Sequence, residues 1–232
     1  MIGVFGGTFD PIHLGHIKPA LDVMQRLGLD ELRFIPCSIP AHRTLPIATT
    51  EQRLAMLHAA IDEHHDCIID ERELNREGIS YMVDTLRSLR NEFKDSTFCL
   101  IIGMDAFYGL NKWYQWQDIL KLANCVVTYR PGCEFNLDTL HPDLVNVVNE
   151  NKVDTEKVFI EKSSIEKGST EKGSTEKDFI EKNTGSLLFM PVTQLDISAT
   201  DIRQRIKQHQ PINELVPTAV ANIIQQQQLY VG

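Results

Sequence analysis

GVFGGTFDPIHLGH, residues 3–16, joins a strand end, a glycine pair and two histidines within one short stretch. Ile2, Val4 and Phe5 have the apolar character of a buried strand. Gly6 and Gly7 follow without side chains, so a sharp bend and close approach by a ligand are expected there. Asp10-Pro11 predicts a helix entry, because aspartate caps free N–H groups and proline fits a first turn. His13 and His16 then fall on one face near the positive end of that helix. Unpaired N–H groups at a helix start favour phosphate. With Thr8 beside them, Gly6, Gly7, His13 and His16 outline a phosphate cradle. An ordinary capped helix with two exposed histidines carries the same local pattern. Neither GxxxxGK[ST] nor GxGxxG is present, which excludes a P-loop and a dinucleotide fingerprint.

Beyond this stretch, apolar strand-like runs alternate with helical patterns, as in a parallel sheet covered on both faces. Further strands are expected at 31–36, 67–70, 97–102, 125–129 and 187–191. Helical spacing covers 17–27, closed by Gly28, and 83–93, 116–123, 198–209 and 216–228. Thr49 with Gln52 three residues on predicts a capped helix to about residue 64, with Leu54, Leu57 and Ile61 facing inward. Open sheets of this kind bind ligands beyond the carboxyl ends of their strands. The glycine pair, Gly103-Met104-Asp105 and the segment after Pro191 all fall at such ends, so one cleft is expected to gather them.

The chain has 232 residues, enough for one α/β domain with a sizeable core. Its formal net charge of −9 argues against a broad electrostatic grip on nucleic acid. No leader-like segment or membrane-length apolar run is read in it, so no membrane partner is expected. Cys37, Cys67, Cys99, Cys125 and Cys133 are scattered without a CxxC pair, predicting free thiols in a reducing cytoplasm. One segment departs from the pattern. Glu-Lys recurs every five residues at 156, 161, 166, 171, 176 and 181. That period matches neither helix nor strand, which predicts a solvated, mobile low-complexity insertion at about 154–184 in a single domain spanning 1–232. Removing 156–182 is expected to leave the chemistry intact.

GGTFDPIHLGH resembles the GxFxPxHxGH signature of the HIGH-type nucleotidyltransferase superfamily, relatives of class I aminoacyl-tRNA synthetases. DISATDIRQR, residues 196–205, resembles the second signature of that superfamily, ISxTxIR. The resemblance implies a Rossmann-like doubly wound parallel sheet with C-terminal helices. It also implies that His13 and His16 hydrogen-bond the α-phosphate, while Arg203 and the helix start at Ser198 to Thr200 hold the leaving phosphates. Read alone, the second stretch also suits a capped helix with an exposed arginine. IPAHR, residues 39–43, is similar to a PPHK-like loop, with Ala41 replacing a proline and Arg43 standing where lysine is usual. Arg43 is accordingly a phosphate-contact candidate. In IIGMDAF, residues 101–107, Asp105 is placed to accept from ribose hydroxyls or to cap the following short helix.

ERELNREGISYMVDTL (71–86) and KWYQW (112–116) resemble segments of bacterial nicotinate-nucleotide adenylyltransferases. There a tryptophan matching Trp113 stacks on the pyridine ring, and backbone groups near Tyr114 and Met82 receive the carboxylate. Thr85 joins the same nucleotide-binding set. Met82 departs from the family, where threonine is common. The implied reaction is ATP plus nicotinate mononucleotide giving deamido-NAD and pyrophosphate, with Mg²⁺ accompanying ATP and no dedicated metal ligands. Nicotinamide mononucleotide or another phosphate-bearing acceptor, a non-catalytic nucleotide-binding regulator, and a scaffold role for the Glu-Lys repeat stand as alternatives. Oligomeric state is not legible.

Overall fold

The first strand, β1 (Ile2–Gly7), lies inside a sheet whose every pairing is parallel. The computed structural model describes residues 1–41, 44–129, 137–153, 179, 184–193 and 195–231. On one side of β1 run β2 (Glu31–Pro36) and β4 (Cys67–Ile69). On the other side come β6 (Phe98–Gly103), β7 (Asn124–Tyr129), β9 (Leu187–Pro191) and β8 (Lys152–Val153). A separate two-stranded sheet pairs β3 (Ile39–Pro40) with β5 (Ile79–Ser80). The strand order therefore reverses between β1 and β6. A crevice opens where such a reversal occurs, beyond the strand ends at Gly7 and Gly103.

Alternation along the buried strands feeds two cores. Phe98, Leu100 and Ile102 of β6 pack with Leu86 and Leu89 of α3 (Met82–Glu92), Ile119 of α5 (Trp116–Leu122) and Leu144 of α6 (Pro142–Asn151). Cys99 and Ile101 face the opposite layer. There they join Val23 of α1 (Leu14–Leu27), Leu57 of α2 (Thr50–Ile61), Ile202 of α7 (Ala199–Lys207) and Val220 of α8 (Thr218–Gln226). The short α4 (Met104–Tyr108) follows β6 directly. This is the doubly wound sheet that the pattern predicted. Among the described residues no helix is long and apolar enough to cross a membrane.

Several local expectations hold: β2 and β9 occupy their expected ranges, and Gly28 ends α1 in the left-handed region at φ 60°. The Thr49–Gln52 capping box forms at α2, and Leu57 and Ile61 face inward as expected. Its buried face carries Arg53 and Met56, while Leu54 is only partly covered. The sharp bend expected at Gly6-Gly7 does not occur. Both glycines continue β1 in register with Ile35 and Pro36, and the left-handed turn comes at Phe9, φ 49°. Packing explains these glycines instead. A Cβ on Gly6 would stand 2.6 Å from Met82 Cε, and one on Gly7 2.7 Å from the Phe9 ring. The two-residue strands escaped sequence reading because they are too short to show a period, and helix α6 escaped it as well.

The Glu-Lys repeat lies outside the described residues except for Phe179 and Thr184. Phe179 is a buried exception in a segment read as solvated. Its side chain is in the core, and its carbonyl accepts from Asn124 Nδ2 at 2.9 Å. A deletion of 156–182 would remove that anchor, so it does not isolate the repeat. Cys99 and Cys125 are buried free thiols as expected, Cys37 and Cys67 are half-buried, and Cys133 lies outside the described residues.

Candidate active site

At the carboxyl end of β1 the chain turns through Phe9 and enters α1 with His13 in the capping position. Asp10 is not the cap that the Asp-Pro pair suggested, and α1 starts without a side-chain cap bond. His13 and His16 lie on one face as expected, their rings stacked with centroids 3.6 Å apart. Phe9 meets the His16 ring edge-on at 5.4 Å, fixing its plane. His13 is only 4% exposed, and burial lowers its pKa to about 4. It is therefore neutral at pH 7, a hydrogen-bonding group and not a cation. Its Nδ1 is buried without a partner among the described residues. The helix start is not wholly open: Leu14 N–H donates to the Leu215 carbonyl at 2.9 Å.

Asp10 has a larger task than capping. Its buried carboxylate accepts from Ile47 N at 2.8 Å, Ala48 N at 3.1 Å and the Tyr230 hydroxyl at 2.7 Å. Its carbonyl accepts from Arg203 Nη1 at 2.6 Å. Arg203 also donates to Thr200 Oγ1 at 3.3 Å. Ser198 caps α7, its hydroxyl accepting from Asp201 N at 3.1 Å. Among the described residues, this leaves the N–H groups of Ala199 and Thr200 as the unpaired donors of that helix start. The two signatures thus meet in space: a Cβ on Gly15 would sit 3.3 Å from the Ile197 carbonyl. Under the cradle, Arg53 is almost wholly buried and donates to the carbonyls of Thr8 at 2.8 Å and Cys37 at 2.9 Å. Thr8 keeps its hydroxyl near Cys37 Sγ, 3.7 Å away.

The remaining candidates divide. Arg43 lies outside the described residues. Asp105 is exposed in the first turn of α4 at the end of β6; Gly103, not Asp105, holds the capping position there. Met82 opens α3 and lays its Cε over Gly6, so the 71–86 segment touches the end of β1 directly. Tyr81, preceding it, packs against Tyr114 with centroids 4.5 Å apart and ring planes tilted by 37°. Tyr114 is 48% exposed, and Trp113 is partly buried against the second core. Thr85 departs from the nucleotide-contact role read for it. It is fully buried and donates to Glu73 Oε1 at 2.5 Å, while Arg76 Nη2 donates to it at 3.2 Å. Its hydroxyl is spent on holding the 71–76 turn against α3. Burial raises the Glu73 pKa, opposed by the bonds from Thr85 and Ser80.

The cytidylyltransferase-like family model matches residues 4–205. A probable nicotinate-nucleotide adenylyltransferase of Methylococcus capsulatus is 38% identical over 99% of both chains. That of Hydrogenovibrio crunogenus is 39% identical over 99% of this chain and 97% of its own. The chain belongs to the nicotinate-nucleotide adenylyltransferases of the cytidylyltransferase-like family. Two structures of the Plasmodium falciparum nicotinic acid mononucleotide adenylyltransferase, complexed with APC and with NaAD, share the fold at TM-scores of 0.65 and 0.64. Their identities are 15% and 16%, and each match covers 99% of this chain and 96% of the other. In this adenylyltransferase, sequence reading missed Arg53, Glu73 and Tyr230. A cation in the inward register of α2 was the one available signal for Arg53. Nothing local marked Tyr230, which reaches Asp10 across 220 positions.

Proposed function

We propose that the chain transfers AMP from ATP to nicotinate mononucleotide, forming deamido-NAD and releasing pyrophosphate. The contact from Arg203 to the Asp10 carbonyl supports this reading most directly, because it brings a fixed cation and a second helix start to the histidine pair. An oxygen of the acceptor phosphate, already anionic at neutral pH, attacks the α-phosphorus of ATP. The bond from that phosphorus to the bridging oxygen breaks, and its electron pair leaves with pyrophosphate. No proton needs removing, which suits a neutral His13. The work of the site is alignment and charge stabilisation.

In this reading His16 and His13 hydrogen-bond the non-bridging α-phosphate oxygens. Gly6, Gly7 and Thr8 border the same phosphate, and Asp105 accepts from a ribose hydroxyl. Arg203, with Ala199 and Thr200 N–H, holds the β- and γ-phosphates, since a planar guanidinium offers several donors and stays charged. Arg43 is proposed as a further phosphate contact. Trp113 stacks on the pyridine ring, and main-chain donors at Met82 and Tyr114 receive the carboxylate. No group of three or more His, Cys, Asp or Glu side chains that could hold a metal occurs among the described residues. Mg²⁺ is proposed as a companion of ATP, where it would neutralise phosphate charge, and no step is assigned to it. The proposed setting is the cytoplasm, in keeping with free cysteines at 37, 67, 99 and 125.

Pyrophosphate release measured with ATP and a panel of acceptors tests the proposal. Nicotinate mononucleotide is expected to exceed nicotinamide mononucleotide at matched concentration. Equal rates would overturn the acceptor, and no release with any acceptor would overturn adenylyl transfer.

A further inference from the structure

Gln228 and Tyr230 both hold left-handed backbone, at φ 51° and 64°, although neither is glycine. Such conformations are costly for residues bearing a Cβ and persist where the surroundings hold them. Here Leu229 and Tyr230 are buried in the α1, α2, α7 and α8 core, and Leu229 N–H donates to the Ile224 carbonyl at 3.0 Å. The Tyr230 hydroxyl alone leaves that apolar packing, to donate to Asp10 Oδ1 at 2.7 Å. Burial and the adjoining carboxylate keep the phenol protonated, so it is a permanent donor.

What Asp10 does with its other contacts gives this bond its consequence. Its carboxylate fixes the main chain at Ile47 and Ala48, and its carbonyl holds Arg203. Arg203 Nη1 is also only 3.8 Å from Asp10 Oδ2. A carboxylate deprived of the phenol donor would turn its spare charge toward that guanidinium. Phosphate would then compete with Asp10 for Arg203.

We infer that Tyr230, acting through Asp10, is a positioning residue that keeps Arg203 available to the triphosphate. This rests on the adenylyl-transfer reading for the identity of the ligand, but the chain of contacts is independent of the acceptor. The test uses the full-length protein and inorganic tripolyphosphate, with affinity measured by calorimetry. Tyr230→Phe keeps the ring and removes only the hydroxyl. It is expected to weaken tripolyphosphate binding about five- to tenfold, the scale of one ordinary hydrogen bond, because the lost bond acts on Arg203 only through Asp10. In an Arg203→Met background the same substitution should change affinity less than twofold, because coupled residues do not act additively. KM for ATP should rise by the same factor as in the binding measurement, with KM for the acceptor unchanged.

A change under twofold in the otherwise wild-type protein, or an undiminished loss in the Arg203→Met background, overturns the inference. Leu144→Ala in the opposite core controls for general loosening: it should lower the melting temperature and leave tripolyphosphate affinity alone. If it weakens binding as Tyr230→Phe does, Tyr230 has no special role. A wild-type protein that binds tripolyphosphate yet releases no pyrophosphate with any acceptor overturns the enzymatic reading, while the binding comparisons still judge Tyr230. Failure of the wild type to bind tripolyphosphate overturns the inference about Tyr230, while the pyrophosphate assay still judges the enzymatic reading.

Discussion

The two ends of the cleft are built differently. On the phosphate side, Asp10, His13, Arg53 and Tyr230 are buried, and carbonyls at Thr8, Asp10 and Cys37 are each held by an arginine. On the acceptor side, Tyr114 is half-exposed, Trp113 partly so, and Gln115 beside them has a left-handed φ of 47°. The first arrangement orders donors before any ligand arrives, which suits a transition state whose charge must meet fixed dipoles. The second offers flat apolar surface that a ring can cover. In the proposed reading, the difference teaches that the reaction and the choice of substrate belong to unlike parts, one buried and one half-exposed, joined where Met82 lies over Gly6.

The sharpest way to break this comparison is His16→Ala. Removing one fixed donor at the reacting phosphate is expected to lower kcat about 10²- to 10³-fold with little change in KM for ATP. Steady-state kinetics showing an unchanged kcat would take His16 out of catalysis and leave the ordered side without its purpose. Trp113→Ala should act on the other side, raising KM for nicotinate mononucleotide about tenfold, the scale of one lost ring-stacking surface. A similar rise in KM for ATP would show that the two sides are not separate.

The smallest effect concerns pH. His13 has a folded pKa of about 4 against an ordinary 6.5, because burial disfavours its charged form. Between those values the unfolded chain binds a proton that the folded chain does not. Stability from this residue is therefore complete above pH 6.5 and declines as pH falls toward 4, by at most about 1.4 kcal/mol per pH unit. Melting curves across that window should fall more steeply for the wild type than for His13→Asn. Parallel curves would mean that His13 is not held in the dry environment that distinguishes the phosphate side.

Much of this was legible before any coordinates. The parallel sheet follows from apolar runs such as Phe98–Gly103, and the α2 capping box from Thr49 and Gln52. His13 with His16, and Ser198 with Asp201, are pairs three residues apart, so helical geometry brings each together wherever the helix lies. Other readings failed for one physical cause. Gly6 and Gly7 looked like a bend, yet what excludes a side chain is Met82 from another element and the folded-back Phe9 ring. Thr85 looked like a ligand contact, yet Glu73 takes its hydroxyl. Phe179 looked like part of a solvated repeat, yet Asn124 and the core receive it.

By itself, the sequence determined what depends on spacing along the chain: the order of the longer strands and most helices, the two signature stretches, and the family. Tertiary structure alone decided which polar groups remain free and which are used. Asp10 shows why. Its donors come from residues 47, 48, 203 and 230, and no local pattern ties these together. A carboxylate buried away from water must find its hydrogen bonds within the fold, and only the folded chain shows where they are.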